Sequence, residues 1–176
     1  MWMEMIICYL TCYQQSRKIM TKNVKDYITN VLSEKRPEFG NKAVCPFAKP
    51  ELESNKLMIA SIGEKSLGQL IDEFYISKYE SALFLIKENV PAEQTQKFQI
   101  FVNKVLKTKG LTQYKNICFN PNDQVSVDGY NPRSKAPYFM INIAHRDALL
   151  SAQEALKKTA YYDKLPESYR KFLKIS

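Results

Sequence analysis

The stretch NICFNPNDQVSVDGYNPRSKAPYFMINIAHRD, residues 116–147, decides how the chain folds. It opens on a short apolar run, 116–119, and ends on a longer one, 138–143. Apolar runs bounded by turn residues read as strands covered on both faces. About 18 residues rich in Asn, Asp, Pro and Gly separate them, a length uncommon inside a compact domain and often functional. An ordered surface excursion with no ligand satisfies the same pattern. Directly after the second run come His145, the sole histidine, then Arg146 and Asp147, where the apolar spacing opens a last helix from 147 to about 162. The two strands are expected to pair as a long-looped antiparallel hairpin.

Working back from there, residues 81–86 carry another continuous run, Ala82-Leu83-Phe84-Leu85-Ile86, and 56–62 a shorter one with Leu57, Met58, Ile59 and Ile62. Between these two strands, Ser66 can cap a helix whose Leu67, Leu70, Ile71, Phe74 and Tyr75 share one face. Farther on, Pro91 fits a first helical turn and Glu93 favours its positive end. Phe98, Phe101, Val102, Val105 and Leu106 form the buried stripe of that helix, and Gly110 supplies its C-terminal cap. Upstream, Val24, Tyr27, Ile28, Val31 and Leu32 repeat at helical spacing behind Thr21 as N-cap, and Pro37 should stop that helix at Arg36. Residues 39–50, punctuated by Gly40, Pro46 and Pro50, read as irregular. Two successive strand-helix-strand units imply right-handed crossovers and parallel pairing. The expectation is an α/β fold: a single compact domain with a mixed sheet of about four strands covered by helices, preceded by an N-terminal helix.

At 176 residues, 45% apolar and 25% charged, the chain suits one domain with a sizeable core. Residues 2–10 form an apolar run broken by Glu4, too short to span a bilayer and without the basic lead of a signal peptide. Because the patterned helix starts only after Met20, residues 1–19 are expected to be an extension outside the domain, with translation or at least the folded unit starting near Met20 and 20–176 forming the α/β domain. The net charge of +8 favours partners of negative sign, although a solvated basic surface gives the same number. Nucleic acid is the less favoured of these, since no run of five like charges occurs and aromatic and basic residues do not interleave as a stacking platform. No membrane partner and no cofactor are expected.

The four cysteines, at 8, 12, 45 and 118, form no zinc or redox pair, and one histidine cannot complete a Cys/His set. Reduced thiols in a cytoplasmic protein are the economical reading. Gly-rich phosphate loops, His-Glu-x-x-His and Gly-x-Ser-x-Gly are all absent. Oxygen donors at Asn122, Asp123 and Asp128 match no EF-hand spacing, so no metal is expected.

Ligands of parallel sheets sit beyond the carboxyl ends of the strands. The polar loop falls there, which makes Asn120, Asp123, Asp128 and Arg133, with Tyr138 at the loop's end, candidate ligand-binding residues. Arg146 joins them, because unpaired N–H groups and the dipole at a helix start favour an anion and the Arg fork matches a carboxylate or phosphate. Equally, Asp147 reads as a plain N-cap, Arg146 as a solvated charge and His145 as a satisfied polar residue. Lys49 and Lys135 could converge on the same crevice. Cys45, in Val44-Cys45-Pro46-Phe47-Ala48-Lys49, is the one thiol whose setting hints at function, because backbone donors at a loop or helix start favour a thiolate. With His145 as base it would form a nucleophilic pair, and a buried structural cysteine fits the same residues. Ala48 stands where a dithiol motif would place its second cysteine, so dithiol chemistry is excluded. Cys118, inside a strand, reads as core.

Cys45-Pro46-Phe47-Ala48, Phe119-Asn120-Pro121 and Asn131-Pro132-Arg133-Ser134-Lys135-Ala136-Pro137-Tyr138, in that order and spacing, resemble the motifs of a bacterial family known as domain of unknown function fourteen-fifteen. There the segments read Leu-Cys-Pro-Phe-Ala, Phe-His-Pro and Asn-Arg-Ser-Pro-Tyr-Pro, followed by a strand bearing His and Arg before a helix. The likeness covers residues 21–160 and implies a shared fold and crevice, with no substrate attached. The family's histidines fall on Asn120 and Asn142, so any histidine-based metal or acid/base chemistry it implies would be lost here.

Taken together, these readings describe a small protein binding an anionic small molecule, phosphate or carboxylate, in a crevice formed by Cys45, the 120–134 loop and His145-Arg146. If it is catalytic, Cys45 is the nucleophile, His145 the proton carrier, and Arg133 and Arg146 the anion clamps. The alternative is a basic, non-enzymatic module binding nucleic acid or an acidic protein through Lys157, Lys158, Lys164, Arg170, Lys171 and Lys174.

Overall fold

A computed structural model describes the backbone of residues 2–63, 65–167 and 170, and the side chains of those from residue 14 onward. The first helix, α1 (Trp2–Tyr27), begins well before Thr21, which lies inside it and caps nothing. No Gly or Pro interrupts that span, so helical geometry carries through it. Met20 is the first buried residue among the described side chains, and those of 14–19 are exposed or half-buried. The side chains of the apolar run 2–10, of Cys8 and of Cys12 lie outside the described residues. After Met20 the expected stripe faces the core, with Val24, Tyr27, Ile28 and Leu32 buried. The chain then widens into a π-helical turn, Ile28–Leu32, and Ser33 Oγ donates to the Ile28 carbonyl at 2.8 Å, so the helix stops before Pro37.

Residues 35–36, expected to end the first helix, form instead the strand β1 (Lys35–Arg36), antiparallel to β2 (Lys42–Ala43), and the segment expected to be irregular holds β2 and the start of a short helix, α2 (Ala48–Glu53). Gly40 turns the pair at φ +61° with its Cα pressed on the Ala160 carbonyl, where a Cβ would sit 2.6 Å from the oxygen.

Four longer strands, β3 (Leu57–Ser61), β4 (Ser81–Ile86), β5 (Tyr114–Phe119) and β6 (Phe139–His145), make one mixed sheet in the order β3-β4-β6-β5. β3 and β4 are parallel, joined through α3 (Leu67–Tyr75), whose N-cap Ser66 and Gln69 exchange side-chain and backbone hydrogen bonds. A second helix, α4 (Thr95–Thr108), carries the chain from β4 to β5 and ends at Gly110, φ +72°. These two strands run the same way yet do not pair, because β6 inserts between them, antiparallel to both. Phe139, Met140, Ile141 and Ile143 of β6 are each at most 1% exposed, a burial only an inner strand provides.

The last helix, α5 (Arg146–Lys157), is shorter than its apolar spacing suggests. Thr159 breaks it and starts a 3-10 turn, Ala160–Tyr162, whose buried Tyr161 donates its hydroxyl to the Val44 carbonyl. One sheet face packs Ala82, Phe84, Phe139, Ile141 and Ile143 against Leu70, Ile71, Phe74, Val102 and Leu106 of α3 and α4. The opposite face presents Leu83, Leu85 and Met140 to α1, the π-turn and the two tyrosines. Tyr75 and Phe101, expected in the buried stripes, are 55% and 53% exposed, each at the edge of its helix's apolar arc. No helix among the described residues is long and apolar enough to cross a membrane.

Candidate functional site

On the α1 side the sheet is incompletely covered. α5 turns Ala148, Ser151, Ala152 and Ala155 toward it, at i, i+3, i+4 and i+7, side chains too short to fill the space beneath the helix, with Leu149 the one larger α5 side chain in the lining. A cavity of about 480 Å³ results. Its floor is Leu57, Leu83, Ile117, Phe119, Met140, Asn142 and Ala144. Tyr27, Ile28 and Leu32 close one wall, and Cys45, Phe47, Ala48 and Glu51 another. No residue of α5 is buried, as befits a helix roofing open space.

Few polar groups reach this space. Asn142 Nδ2 donates to the Ala82 carbonyl at 3.3 Å, and Ser81 Oγ donates to Glu51 Oε2 at 2.6 Å. Tyr27 donates its hydroxyl to the Pro132 carbonyl at 2.9 Å, and burial holds that phenol well above its ordinary range. Burial likewise pushes the Cys45 thiol up; backbone N–H groups of Phe47 and Ala48 oppose the shift and the Glu51 charge adds to it. The thiol is therefore protonated at neutral pH, opposite to what a nucleophile at a helix start would require.

Of the three segments expected to share one crevice, two come near each other. Tyr27 links them, lining the cavity with Cys45 and donating its hydroxyl to the Pro132 carbonyl of the loop. His145 and Arg146 are elsewhere. Because β6 is antiparallel to β5, Tyr114 pairs with His145 at one end and Phe119 with Met140 at the other. The loop leaves the second end, which places it about 17 Å from His145 at the usual rise per residue. Strand parity separates them further. Asn142 and Ala144 face the cavity, whereas Ile141 and Ile143 face α3 and α4, so His145 points with the latter. There its ring meets Tyr114 edge-on at 5.6 Å. No Cys45–His145 pair is assembled.

The helix cap differs from expectation as well. His145 caps α5, its Nδ1 accepting from the Asp147 backbone at 3.4 Å, so Asp147 lies in the first turn. Arg146 reaches a different space, a polar groove of about 400 Å³ between α4 and β5, lined also by Gln99, Asn103, Lys107, Lys115 and Asn116.

The loop's candidate residues are satisfied by one another. Asn120, fully buried, donates to the Val90 and Pro91 carbonyls and to Thr95 Oγ1 at 3.0, 3.3 and 2.9 Å, while its Oδ1 accepts from the Asn122 backbone at 2.9 Å. Asp123 accepts from Thr95 at 3.1 Å and pairs with Arg133 at 2.8 Å. Asn131 binds the Asp123 carbonyl at 2.6 Å and caps the backbone of Arg133 at 3.0 Å. Asp128 pairs with Lys164 at 3.0 Å, and Tyr138 accepts from Asn23 at 3.0 Å. These contacts hold the loop's shape and leave Arg133 engaged.

Several of the other basic candidates are engaged too. Lys49 pairs with Glu53 at 3.7 Å, Lys157 with Glu154 at 2.7 Å, and Lys135 lies 5.0 Å over the Tyr130 ring. Lys171 and Lys174 lie outside the described residues. Cys118 is core, its thiol pushed up to about 12 by burial. Among the described residues no three His, Cys, Asp or Glu gather as a metal site.

Two features went unread in the sequence. Asp128-Gly129 is a hairpin signal, and both residues take positive φ, 49° and 81°, in a two-residue turn closed by reciprocal Val127 and Tyr130 backbone bonds. The stripe of small residues on α5 was the other, a helical periodicity in which what recurs is the lack of bulk. The cavity it leaves stands without precedent to lean on: no family model, curated protein or solved structure matches the chain.

Proposed function

We propose that the protein binds a small, largely apolar molecule in the cavity between the sheet and α5. The composition of the cavity wall carries this reading. A concave space of about 480 Å³ lined by aliphatic and aromatic groups, with a few polar atoms at its margin, has the size and character of a small-molecule site. An anion finds no counter-charge there: among the described residues no Lys, Arg or His lines the cavity and Glu51 is its one charged residue. Thiol catalysis is equally unsupported, with Cys45 held protonated and the imidazole on the other sheet face.

The test is Nile red, a neutral dye that brightens in apolar surroundings. Saturable one-site binding is expected for the full chain and is expected to weaken sharply in Ala152→Trp, whose indole intrudes on the space. A parent protein that shows no saturable binding, or a folded Ala152→Trp variant that binds undiminished, overturns the proposal.

A second reading keeps the anionic ligand and moves it. Lys107, Lys115 and Arg146 border the groove between α4 and β5, and no carboxylate lines it. Guanidinium and ammonium groups around one polar recess favour a phosphate or carboxylate. Calorimetric titration with inorganic phosphate should show binding that Arg146→Ala removes; no heat at low ionic strength discards this reading.

A further inference from the structure

We infer that the molecule bound under α5 carries an ammonium group on its apolar body, and that Glu51 receives it. This rests on the apolar-ligand reading and adds the head group. Among the described residues no Lys or Arg borders the cavity, its single charge is the Glu51 carboxylate, and no ion pair includes that carboxylate. The nearest basic residues in sequence are committed outward, Lys49 to Glu53 at 3.7 Å and Lys56 to Glu80 at 2.7 Å.

The carboxylate is also held in place. Ser81, at 1% exposure, donates to Glu51 Oε2 at 2.6 Å from the start of β4, which anchors one oxygen to the sheet and leaves the other without a side-chain donor. A half-buried carboxylate with no counter-ion is costly, and a ligand cation supplies both the charge and the missing hydrogen bonds. The neighbouring Cys45 thiol stays neutral, partly because of this same negative charge, so it does not compete for the cation. Leu83, Met140 and Ala152 then bracket the apolar body. A carboxylate ligand would face repulsion at the same spot, and a neutral alcohol would gain a hydrogen bond without the charge.

Three probes sharing one alkyl chain separate the possibilities: n-octylamine, 1-octanol and octanoate, each displacing Nile red from the full chain at pH 7.5. The amine is expected to bind about tenfold more tightly than the alcohol, the advantage of a charge-assisted over a neutral hydrogen bond, with octanoate weakest. In Glu51→Gln the amine should fall to the alcohol's level while the alcohol changes by less than about twofold. Thermal unfolding of that variant reports its folding; if it does not fold, the parent's ranking decides, because the tail is common to all three. An amine no tighter than the alcohol, or an advantage that survives in folded Glu51→Gln, overturns the head-group inference while leaving the apolar site standing. Failure of all three to bind the parent removes the apolar site itself.

Discussion

The two faces of the sheet carry similar residues and end up in opposite states. Toward α3 and α4, Phe84, Phe139, Ile141 and Ile143 meet Ile71, Phe74 and Val102, all at most 2% exposed, and the layer is closed. Toward α5, Leu83 and Met140 line a cavity, because the covering helix offers mostly short side chains there, Ala148, Ser151, Ala152 and Ala155. Residues adjacent in one strand, such as Met140 and Ile141, therefore serve different ends. One layer supplies cohesion and the other supplies room, and the sheet divides the two tasks by the pleat alone.

The contrast can be broken most directly at those two neighbours. Ile141→Ala should cost about 4 kcal/mol, since close packing prevents the site from collapsing around the deletion. Met140→Ala should cost about 2 kcal/mol, because its side chain already borders empty volume. Urea unfolding of both variants checks this, and equal losses would mean the faces are packed alike. Next in size is Asn120→Ala, which empties a fully buried site and leaves the Asn122 N–H without its acceptor, at an expected cost of about 2 kcal/mol. Because that network lies beyond the cavity, Nile red affinity should stay unchanged in the folded variant.

Filling the room should do the reverse of emptying the closed layer. Ala152→Leu is expected to raise stability by about 1 kcal/mol, by burying apolar surface without strain, while weakening dye binding. A destabilised Ala152→Leu protein would show that α5 sits closer to the sheet than the cavity implies. The smallest effect concerns protons. Burial, the leading cause, raises Cys45 and takes Cys118 to about 12, so the folded state keeps these protons longer than the unfolded chain does. The stabilisation is whole below the ordinary thiol range, about 8.5, and is lost as pH climbs from there through the folded-state values. Unfolding midpoints should thus be flat from pH 7 to 8 and decline above 9, and iodoacetamide at pH 7.5 should modify native Cys45 more slowly than it does glutathione.

Much of the frame is legible in the sequence. Residues 81–86 emerged as a strand with the expected bounds because their neighbours on both faces are apolar, which leaves no polar residue to blur the ends. Ser66 and Gly110 marked helix termini through local chemistry that needs no partner. Sheet order was not readable, since a strand's own pattern does not name its neighbour, and β6 took the place expected to join β4 and β5. That insertion, with strand parity, is what parted His145 from Cys45. Asn120 looked like a ligand group because it is polar and in a loop; its burial and four hydrogen bonds appear only once Val90, Pro91 and Thr95 come alongside. The cavity escaped notice for a different reason. It arises where bulk is missing, and alanines in a helix read first as good helix formers.

The central position of β6 also bears on how the protein is made. A ribosome releases β4 and β5 well before residues 139–145 emerge, so the nascent chain holds two strands whose inner edges have no partner. Those edges present unpaired backbone N–H and C=O groups beside apolar side chains, able to pair with any extended segment nearby, including another copy. Completion of the sheet therefore waits for the last strand to slot between two that already exist, and a message truncated before it would yield sticky fragments in place of a smaller folded protein.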